Sequence, residues 1–458
     1  MAGSARLSAF RGEGRACIGV MILAENKSWH RRVGSKFGPG SLERDSAWSL
    51  GTNLISRAST LLLLFYAAAV LPRAEFGVLV LAQATVYLIF PFALAGLNLS
   101  GTRMAASYAE DDKLAWTVSV QSLQVTLATT IVAVVCTAMG WHWITRIAGR
   151  EELDEGIRWT SCLQLATLTL STSVCSVMTG FKRFRVLLWA SIAGLVGMAI
   201  SVPYTIATGG IRGAQVAASI CHGATMATVL VHNRRHYKRI FMAMPDFEMW
   251  RRLLSVGGPT YFVTILAGVT NYLALSLMAR QANGTLDLAA YAVCDRVRQV
   301  LILPMTAAAP AALSHLSSAG GARRSGIIRR IEGGAAVVTV LPSILVIAAG
   351  GFLLALFGQG FDDSRLLLTM AAVGATPYVL NTLYGYVLIA DGRVSERFGF
   401  DLGLAAILLV GMVPLISMYG AEGYVGTQLL GFTAAAIALR SRIRESPKTN
   451  DPGLVSAR

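Results

Sequence analysis

The chain has 458 residues, of which 54% are hydrophobic and only 14% are charged. Soluble proteins carry about 25% charged residues and have less than half of their residues apolar. This composition excludes a soluble enzyme, a nucleic-acid-binding protein and a disordered chain, and it favours a protein embedded in a lipid bilayer. The net charge of +15 must then reflect where basic residues lie relative to the membrane.

Residues 1–47 differ from the rest of the chain because they are polar and rich in arginine. Their apolar run, residues 16–24, is followed by Glu25-Asn26-Lys27 and not by the small residues of a signal-peptide cleavage site. We predict a disordered cytoplasmic tail for this segment. A start codon assigned too far upstream is the alternative.

Twelve apolar segments follow, each long enough to form a transmembrane helix of about 20 residues. They are continuously apolar, whereas the strands of a membrane β-barrel alternate, so we predict an all-α membrane protein. The predicted spans are 50–71, 77–100, 115–139, 159–179, 186–208, 213–231, 255–279, 288–313, 334–357, 366–390, 401–419 and 423–440.

Lysine and arginine are distributed unequally between the two sides that these spans define. With the N-terminus in the cytoplasm, and with Arg440 at the end of the last span counted with the C-terminal tail, 30 of the 40 basic residues fall in cytoplasmic segments, seven fall on the opposite side and three lie inside spans. This bias follows the positive-inside rule, so we predict that both termini are cytoplasmic. It also accounts for the net charge without a nucleic-acid partner.

The first six and the last six spans carry matching turns. Gly210-Ile211-Arg212-Gly213 precedes the sixth span, and Gly420-Ala421-Glu422-Gly423 precedes the twelfth. Six is an even number, so both groups enter the membrane from the same side, which predicts parallel repeats with a central cavity between them. The expected organisation is an N-lobe at 48–231, a basic cytoplasmic linker at 232–254, a C-lobe at 255–440 and a cytoplasmic tail at 441–458.

Four charged side chains lie well inside predicted spans, away from the span ends: Arg57 in the first, and Asp295, Arg296 and Arg298 in the eighth. Each costs at least about 2.5 kcal/mol inside a membrane, so each needs a partner or a wet cavity. Asp295 and Arg298 are spaced to form a structural pair, and Arg57 could instead extend to the interface. The alternative is a cavity of net charge +2, which would suit an anionic substrate and phosphate in particular.

Arg296 is the preferred cavity residue, because Arg298 lies on the same helix face as Asp295. Asp295 is also the candidate group for coupling to H⁺ or Na⁺. Eight amide side chains are expected to form interhelical hydrogen bonds, and three of them, Asn53, Gln83 and Asn271, are candidates for lining the cavity. The other five are Asn98, Gln121, Gln124, Gln164 and Asn381.

We find no nucleotide-binding loop, catalytic serine motif or metal-ligand spacing in the sequence. We therefore predict no catalytic residue, metal or cofactor. The six cysteines are scattered, without the paired spacing of disulfides, and are expected to serve as small apolar residues in helices.

One stretch near the start of the membrane region carries a family resemblance. Gly51 and Arg57 are followed by Leu71-Pro72-Arg73-Ala74-Glu75-Phe76-Gly77 and then by Gly96-Leu97 before Arg103-Met104-Ala105-Ala106. Supporting positions are Gly180 with Arg183, Gly257-Gly258-Pro259, Tyr291 and Gly423. Over residues 46–440 the chain resembles the bacterial polysaccharide-transport, or oligosaccharide-repeat-unit, flippases of the multidrug/oligosaccharidyl-lipid/polysaccharide exporter superfamily.

The resemblance implies two six-helix lobes around a V-shaped cavity that opens alternately to the two sides of the bacterial inner membrane. The implied substrate is an undecaprenyl-pyrophosphate-linked oligosaccharide for O-antigen, capsule or exopolysaccharide synthesis. Arg57, with Arg296 or Arg298, would meet its pyrophosphate. The implied partners are this lipid-linked oligosaccharide and membrane lipid, with a polysaccharide polymerase and chain-length regulator proteins as further candidates.

Two other functions stay open at this point. A cation-coupled multidrug or toxin exporter of the same superfamily would prefer acidic cavity groups, and only Asp295 is available. A membrane glycan polymerase or glycosyltransferase would need a sizeable external loop with catalytic residues. The longest predicted loop on that side, residues 140–158, is too short for this role.

Overall fold

The structure is a computed structural model that describes residues 39–108, 112–149, 153–237, 243–318, 321–358, 360–391 and 393–445. Over these residues the chain is helical and contains no strand, which confirms the predicted all-α class. It divides into two compact units, Met1–Leu50 and Gly51–Arg458. Of the first unit, only residues 39–50 are described, and they form the start of the first helix.

Thirteen α-helices follow one another along the described part of the chain. They are α1 Pro39–Val70, α2 Arg73–Leu94, α3 Leu97–Ser107, α4 Asp112–Ala148, α5 Glu155–Gly180, α6 Phe184–His232, α7 Arg234–Tyr237, α8 Phe247–Ala279, α9 Gly284–Ser318, α10 Gly321–Ala348, α11 Gly350–Ala355, α12 Arg365–Ala390 and α13 Val394–Glu445, with a 3-10 turn at Asp362–Ser364 before α12.

Eight helices in the described part are long and apolar enough to cross a membrane. Two of these, α6 and α13, turn back within their length and cross twice. The apolar stretch Thr264–Ala279 of α8 adds a crossing, and so does α9, whose apolar character is interrupted by the charges at 295, 296 and 298. The described chain thus makes the twelve crossings predicted from the sequence, as a multi-pass membrane protein.

Glycines make the two reversals inside α6 and α13. Gly210 has φ 53° and ψ −126°, and Gly420 has φ 54° and ψ −128°. These angles are typical of the first central residue of a type II′ turn, where glycine is preferred. Three residues later, a Cβ at Gly213 or Gly423 would overlap the backbone carbonyl eight residues before it. The same turn in both halves confirms the predicted repeat of two lobes, α1–α6 (N-lobe) and α8–α13 (C-lobe).

Several helix boundaries differ from the predicted spans. The second span is broken at Ala95 and Gly96, both with positive φ, so it consists of α2 and α3. The predicted connection 314–333 is helical except at residues 319–320, which are not described. In the predicted N-terminal tail, residues 1–38 lie outside the described part, but residues 39–47 are helical, which corrects the expected disorder there. In the C-terminal tail, residues 441–445 belong to α13 and residues 446–458 are not described.

The helix ends define two faces. The turn face carries the α1–α2, α4–α5, α8–α9 and α11–α12 connections and the turns at Gly210 and Gly420. The linker face, at the other end, carries residues 232–237 and 243–254. On the linker face, the Gln121 side chain of α4 donates to the Met244 carbonyl at 2.9 Å and accepts from Trp250 Nε1 at 2.8 Å. Gln124 donates to the Ala243 carbonyl at 2.8 Å. These amides hold the described end of the linker against the N-lobe.

The lobes contact each other closely at the turn face. The first turns of α2 and α9 are so close that a Cβ at Gly77 would overlap the carbonyl oxygen of Thr285. The Phe65 and Phe357 rings stack with centroids 4.0 Å apart. The Tyr272 hydroxyl of α8 donates to a carbonyl of α4 at 3.1 Å. The described residues therefore close the passage between the lobes at this face.

Two arginines cross between the lobes there in a related way. Arg73, where the α1–α2 connection of the N-lobe meets α2, donates to the Gly360 carbonyl of the C-lobe. It also lies 5.0 Å from the Phe361 ring centroid there. Arg280, in the α8–α9 connection of the C-lobe, donates to the Arg146 carbonyl in the N-lobe at 2.9 Å. Arg73 thus reaches the connection between the third and fourth spans of the C-lobe, and Arg280 reaches the last turn of α4, just before the corresponding connection of the N-lobe. We call Arg73 and Arg280 the arginine latches.

A third arginine at the turn face binds within its own lobe. Arg212 forms an ion pair with Asp154, which caps α5 by accepting from the Ile157 N–H at 2.8 Å. Burial alone would raise the pKa of Asp154, but the Ile157 N–H and the Arg212 guanidinium outweigh burial and lower the pKa. The carboxylate is therefore charged at neutral pH and fixes the Gly210 turn to the start of α5.

Candidate functional site: a cationic cleft between α1 and α9

Arg57 and Arg296 lie at matching depths. Arg57 is 13 residues before the end of α1 at Val70, and Arg296 is 12 residues after the start of α9 at Gly284. At 1.5 Å per residue, both are about 20 Å from the turn face. This depth lies within the apolar core of a bilayer, which is about 30 Å thick.

The two arginines line one shallow cleft that is open to its surroundings. Its walls come from one face of α1 and one face of α9, because the lining positions recur at helical spacing. The lining residues are Arg57, Thr60 and Leu61 of α1, and Arg296, Gln299, Val300 and Leu303 of α9. One helix of each lobe therefore contributes one guanidinium to the same cleft.

Gln299 lies between the two guanidinium groups. Its Oε1 accepts a hydrogen bond from Arg296 at 2.7 Å and a longer one from Arg57 at 3.4 Å. Its Nε2 donates to Asp295 Oδ2 at 2.7 Å. One neutral amide thus joins the cleft arginines to the carboxylate one turn earlier on α9.

Arg298 points away from the cleft, into the C-lobe. It is ion-paired with Asp295, donates to Gln428 of α13 at 2.6 Å, and lies 5.9 Å from the Tyr378 ring centroid. Only 10% of its side chain is exposed. Among the four intramembrane charges predicted from the sequence, Arg298 and Asp295 form a buried pair, and Arg57 and Arg296 face the cleft.

The charges of this region therefore separate into a neutral pair and a cationic site. Within the described residues, neither Arg57 nor Arg296 forms an ion pair with a carboxylate. Two guanidinium groups in a low-dielectric setting repel each other and favour an anion that accepts from both. Phosphate oxygens match guanidinium forks in charge and geometry. The charge and the donor geometry of the cleft therefore match those that a phosphate-type anion requires.

The three other cavity candidates from the sequence do not line this cleft. Asn53 lies one turn before Arg57 on α1, Gln83 is buried in α2, and Asn271 accepts from the Tyr424 hydroxyl at 3.3 Å between α8 and α13. Of these, Asn53 is nearest to the cleft along its helix.

Sequence reasoning missed further paired charges of the C-lobe, most of them half-buried. Glu332 accepts from the Tyr384 hydroxyl at 2.6 Å and lies 3.2 Å from Arg440. Arg397 and Asp401 form an ion pair with side chains 17% and 14% exposed. The spacing of Arg397 and Asp401, one turn apart, could have revealed their pair. Glu332 was hidden because its segment was predicted to be a loop.

Metal and disulfide chemistry find no support in the part of the chain that the structure describes. No group of three histidine, cysteine or acidic side chains is arranged there to hold a metal ion. Five cysteines are described, and all five are free and lie in helices. Cys17 lies outside the described residues.

Comparisons with known proteins place this geometry in context. A sequence profile described as "Polysaccharide biosynthesis protein" matches residues 42–313. No curated protein matches the chain at a significant level.

Solved structures share the fold. The chain is similar to an inward-facing multidrug resistance MATE family transporter of the MOP superfamily, with TM-score 0.72 and 15% identity over 88% of this chain and 99% of that one. An outward-facing structure of such a transporter matches with TM-score 0.66 and 16% identity, over 89% of this chain and 96% of that one. A MOP superfamily transporter from Pyrococcus furiosus, described by the reverse polarity of its binding pocket, matches with TM-score 0.59 and 15% identity, over 88% of this chain and 94% of that one. These likenesses show the two-lobed, twelve-helix fold.

Proposed function

The chain belongs to the polysaccharide biosynthesis protein family, and we propose that it is a flippase for undecaprenyl-pyrophosphate-linked oligosaccharide repeat units. The cleft in which Arg57 and Arg296 approach each other without a carboxylate partner among the described residues is the observation that carries this proposal. The family and the fold both favour a transporter over an enzyme.

The proposed mechanism uses the two lobes as the moving parts. With the turn face closed, the pyrophosphate enters the cleft from the linker face and bridges Arg57 of the N-lobe and Arg296 of the C-lobe. The anion replaces the repulsion between the guanidinium groups with attraction. The lobes then rock about the bound anion, separate at the turn face and release the glycan there, which is alternating access.

The Lys and Arg bias supports an orientation with the linker face in the cytoplasm. The turn face would then open to the outside of the inner membrane, and both termini would be cytoplasmic. In this setting a polysaccharide polymerase and chain-length regulator proteins would take over the flipped repeat unit.

A deletion strain tests the proposed function. We expect loss of surface polysaccharide together with accumulation of lipid-linked repeat units in the membrane fraction, since synthesis continues while translocation stops. Both quantities are measured in the deletion strain and after complementation with the wild-type gene. Unchanged glycan with reduced dye efflux would contradict the flippase and support the cation-coupled drug exporter instead.

Complementation with cleft variants tests the residues. Arg57→Ala or Arg296→Ala is expected to abolish surface polysaccharide without preventing membrane insertion, because one guanidinium alone cannot bridge the pyrophosphate. Lysine at either site should restore part of the activity, since it keeps the charge but not the bidentate fork.

The matched control is Arg251→Ala, which removes an exposed arginine of α8 that does not line the cleft. It should retain wild-type polysaccharide levels. Full activity of both cleft alanine variants, at wild-type amounts in the membrane, would refute the cationic-cleft account.

A further inference from the structure

We propose that Gln299 is an internal acceptor whose amide oxygen lies where an anion would bind between Arg57 and Arg296, and that it must be displaced when the anion binds. This inference rests on the proposed function, because it assumes that the cleft between Arg57 and Arg296 receives a diphosphate. Gln299 is thereby a positioning residue that sets how tightly the cleft holds its anion.

The first step is the placement of the Gln299 oxygen. Arg57 and Arg296 come from different lobes, and the amide Oε1 accepts from both of them, at 3.4 Å and 2.7 Å. An oxygen of a bridging phosphate group would have to make the same two contacts. The amide oxygen and the anion therefore compete for the same donors.

The second step is the anchoring of the amide. Gln299 Nε2 donates to Asp295 Oδ2 at 2.7 Å, and Asp295 is itself held by the buried Arg298. The Arg298 guanidinium is fixed in turn by Gln428 of α13 at 2.6 Å. This chain of contacts orients the amide so that its oxygen, and not its nitrogen, faces the two cleft arginines.

The third step is the choice of a neutral acceptor. An amide oxygen satisfies the guanidinium groups when the cleft is empty, but it carries no full charge, so a phosphate can replace it. A carboxylate in this place would form two ion pairs and close the site to anions. A residue without a hydrogen-bond acceptor would leave both guanidinium groups without this internal partner. An anion would then bind without displacing a side chain.

These steps predict opposite effects for two substitutions. Gln299→Ala should strengthen binding of inorganic pyrophosphate about 3- to 10-fold, because a competing hydrogen bond to a charged group is lost. Gln299→Glu should weaken it about 10-fold or more, because the anion must displace a charged competitor. A merely structural role for Gln299 would make both substitutions weaken binding.

The test measures inorganic pyrophosphate binding to the purified full-length chain in lipid nanodiscs by isothermal titration calorimetry. Thermal unfolding of each variant is followed in parallel. Gln299→Asn, a shorter neutral amide that withdraws from both guanidinium groups, should bind more tightly than wild type. It keeps the test decisive if the alanine variant does not fold. Gln215→Ala is the matched control: it removes a buried amide of the N-lobe that donates to Ser161, belongs to no part of this contact chain and does not line the cleft, so it should leave pyrophosphate affinity within about 2-fold.

The results separate the two proposals. Opposite shifts for Gln299→Ala and Gln299→Glu support the internal acceptor. Wild-type affinity of both variants, or weaker binding in both, overturns it, while loss of binding in Arg57→Ala and Arg296→Ala would still support the cationic cleft. No pyrophosphate binding by the wild-type protein, or undiminished binding by both arginine variants, overturns the cationic cleft and the internal acceptor together.

Discussion

At the scale of single residues, the buried Asp295–Arg298 pair shows how a charge persists inside the C-lobe. The two side chains are 13% and 10% exposed, and Gln299 and Gln428 supply hydrogen bonds to the carboxylate and the guanidinium. Such a pair adds little stability compared with apolar residues, but its disruption leaves a buried charge uncompensated. The pair is therefore sensitive to the loss of one partner.

This sensitivity leads to a prediction for the pair. Asp295→Ala should lower the free energy of unfolding by about 3–5 kcal/mol, because the Arg298 guanidinium loses its counter-charge in a low-dielectric interior. The double variant Asp295→Ala/Arg298→Met should recover most of this loss. Equilibrium unfolding of the purified protein in detergent measures both. A double variant no more stable than Asp295→Ala would contradict the explanation.

At the scale of helices, the reversals in α6 and α13 depend on single glycines. The positive φ of Gly420 is unfavourable for any other residue, and a Cβ there would also overlap the Asp287 carboxylate at the start of α9. That carboxylate therefore lies against the turn that precedes the last membrane crossing. The Gly420 turn of the C-lobe thus packs against the start of α9, the helix that carries Arg296 into the cleft.

Two glycines of α13 allow a matched comparison. Gly420→Ala should destabilise the protein by about 1–3 kcal/mol, because its backbone conformation is strained for a residue with a Cβ. Gly403→Ala should stabilise it by about 0.5–1 kcal/mol, because this glycine lies within a regular helix turn with open space around it. Thermal unfolding measures both variants. Equal effects would show that the Gly420 turn is not specifically required.

At the scale of the whole molecule, the arginine latches relate the two lobes. Arg73 binds the α11–α12 connection of the C-lobe and Arg280 binds the end of α4 in the N-lobe, so both sets of contacts must break for the turn face to open.

Removing both latches should shift the protein towards the state that is open at the turn face. In Arg73→Ala/Arg280→Ala, a cysteine placed at Thr285, opposite Gly77, should react with a water-soluble maleimide about 3-fold faster or more. Arg212→Ala, which removes an arginine of the same face that binds within the N-lobe, is the control and should not change this rate. Equal rates in all three proteins would show that the latches do not hold the lobes together.

Much of the fold could be predicted from the sequence, and the reasons for the exceptions are physical. Apolar runs locate the twelve crossings, but they detect only the part of a helix in contact with lipid, so they missed the polar start of α8 at Phe247 and the end of α13 at Glu445. The Ala95–Gly96 break was also invisible, because it lies within apolar sequence. The two turn glycines were found because their spacing repeats.

The candidate site was less predictable than the fold. Arg57 and Arg296 stood out as charges in apolar surroundings, and helical spacing suggested the Asp295–Arg298 pair. The link from Arg298 to Gln428 spans 130 positions, so no local pattern could predict it. Gln299 was overlooked, although it follows Arg296 by three residues and Asp295 by four, because an amide at that spacing is common on helices.

The turn face also bears on how the protein meets its surroundings. Two of its six connections are reversals at a single glycine, α1 and α2 are separated by two residues, and the other connections contain no domain of their own within the described residues. Oriented as proposed, the transporter would offer antibodies, phages and external proteases almost no exposed chain. A transporter with the proposed role in building the cell surface would thus itself expose very little protein on the outside.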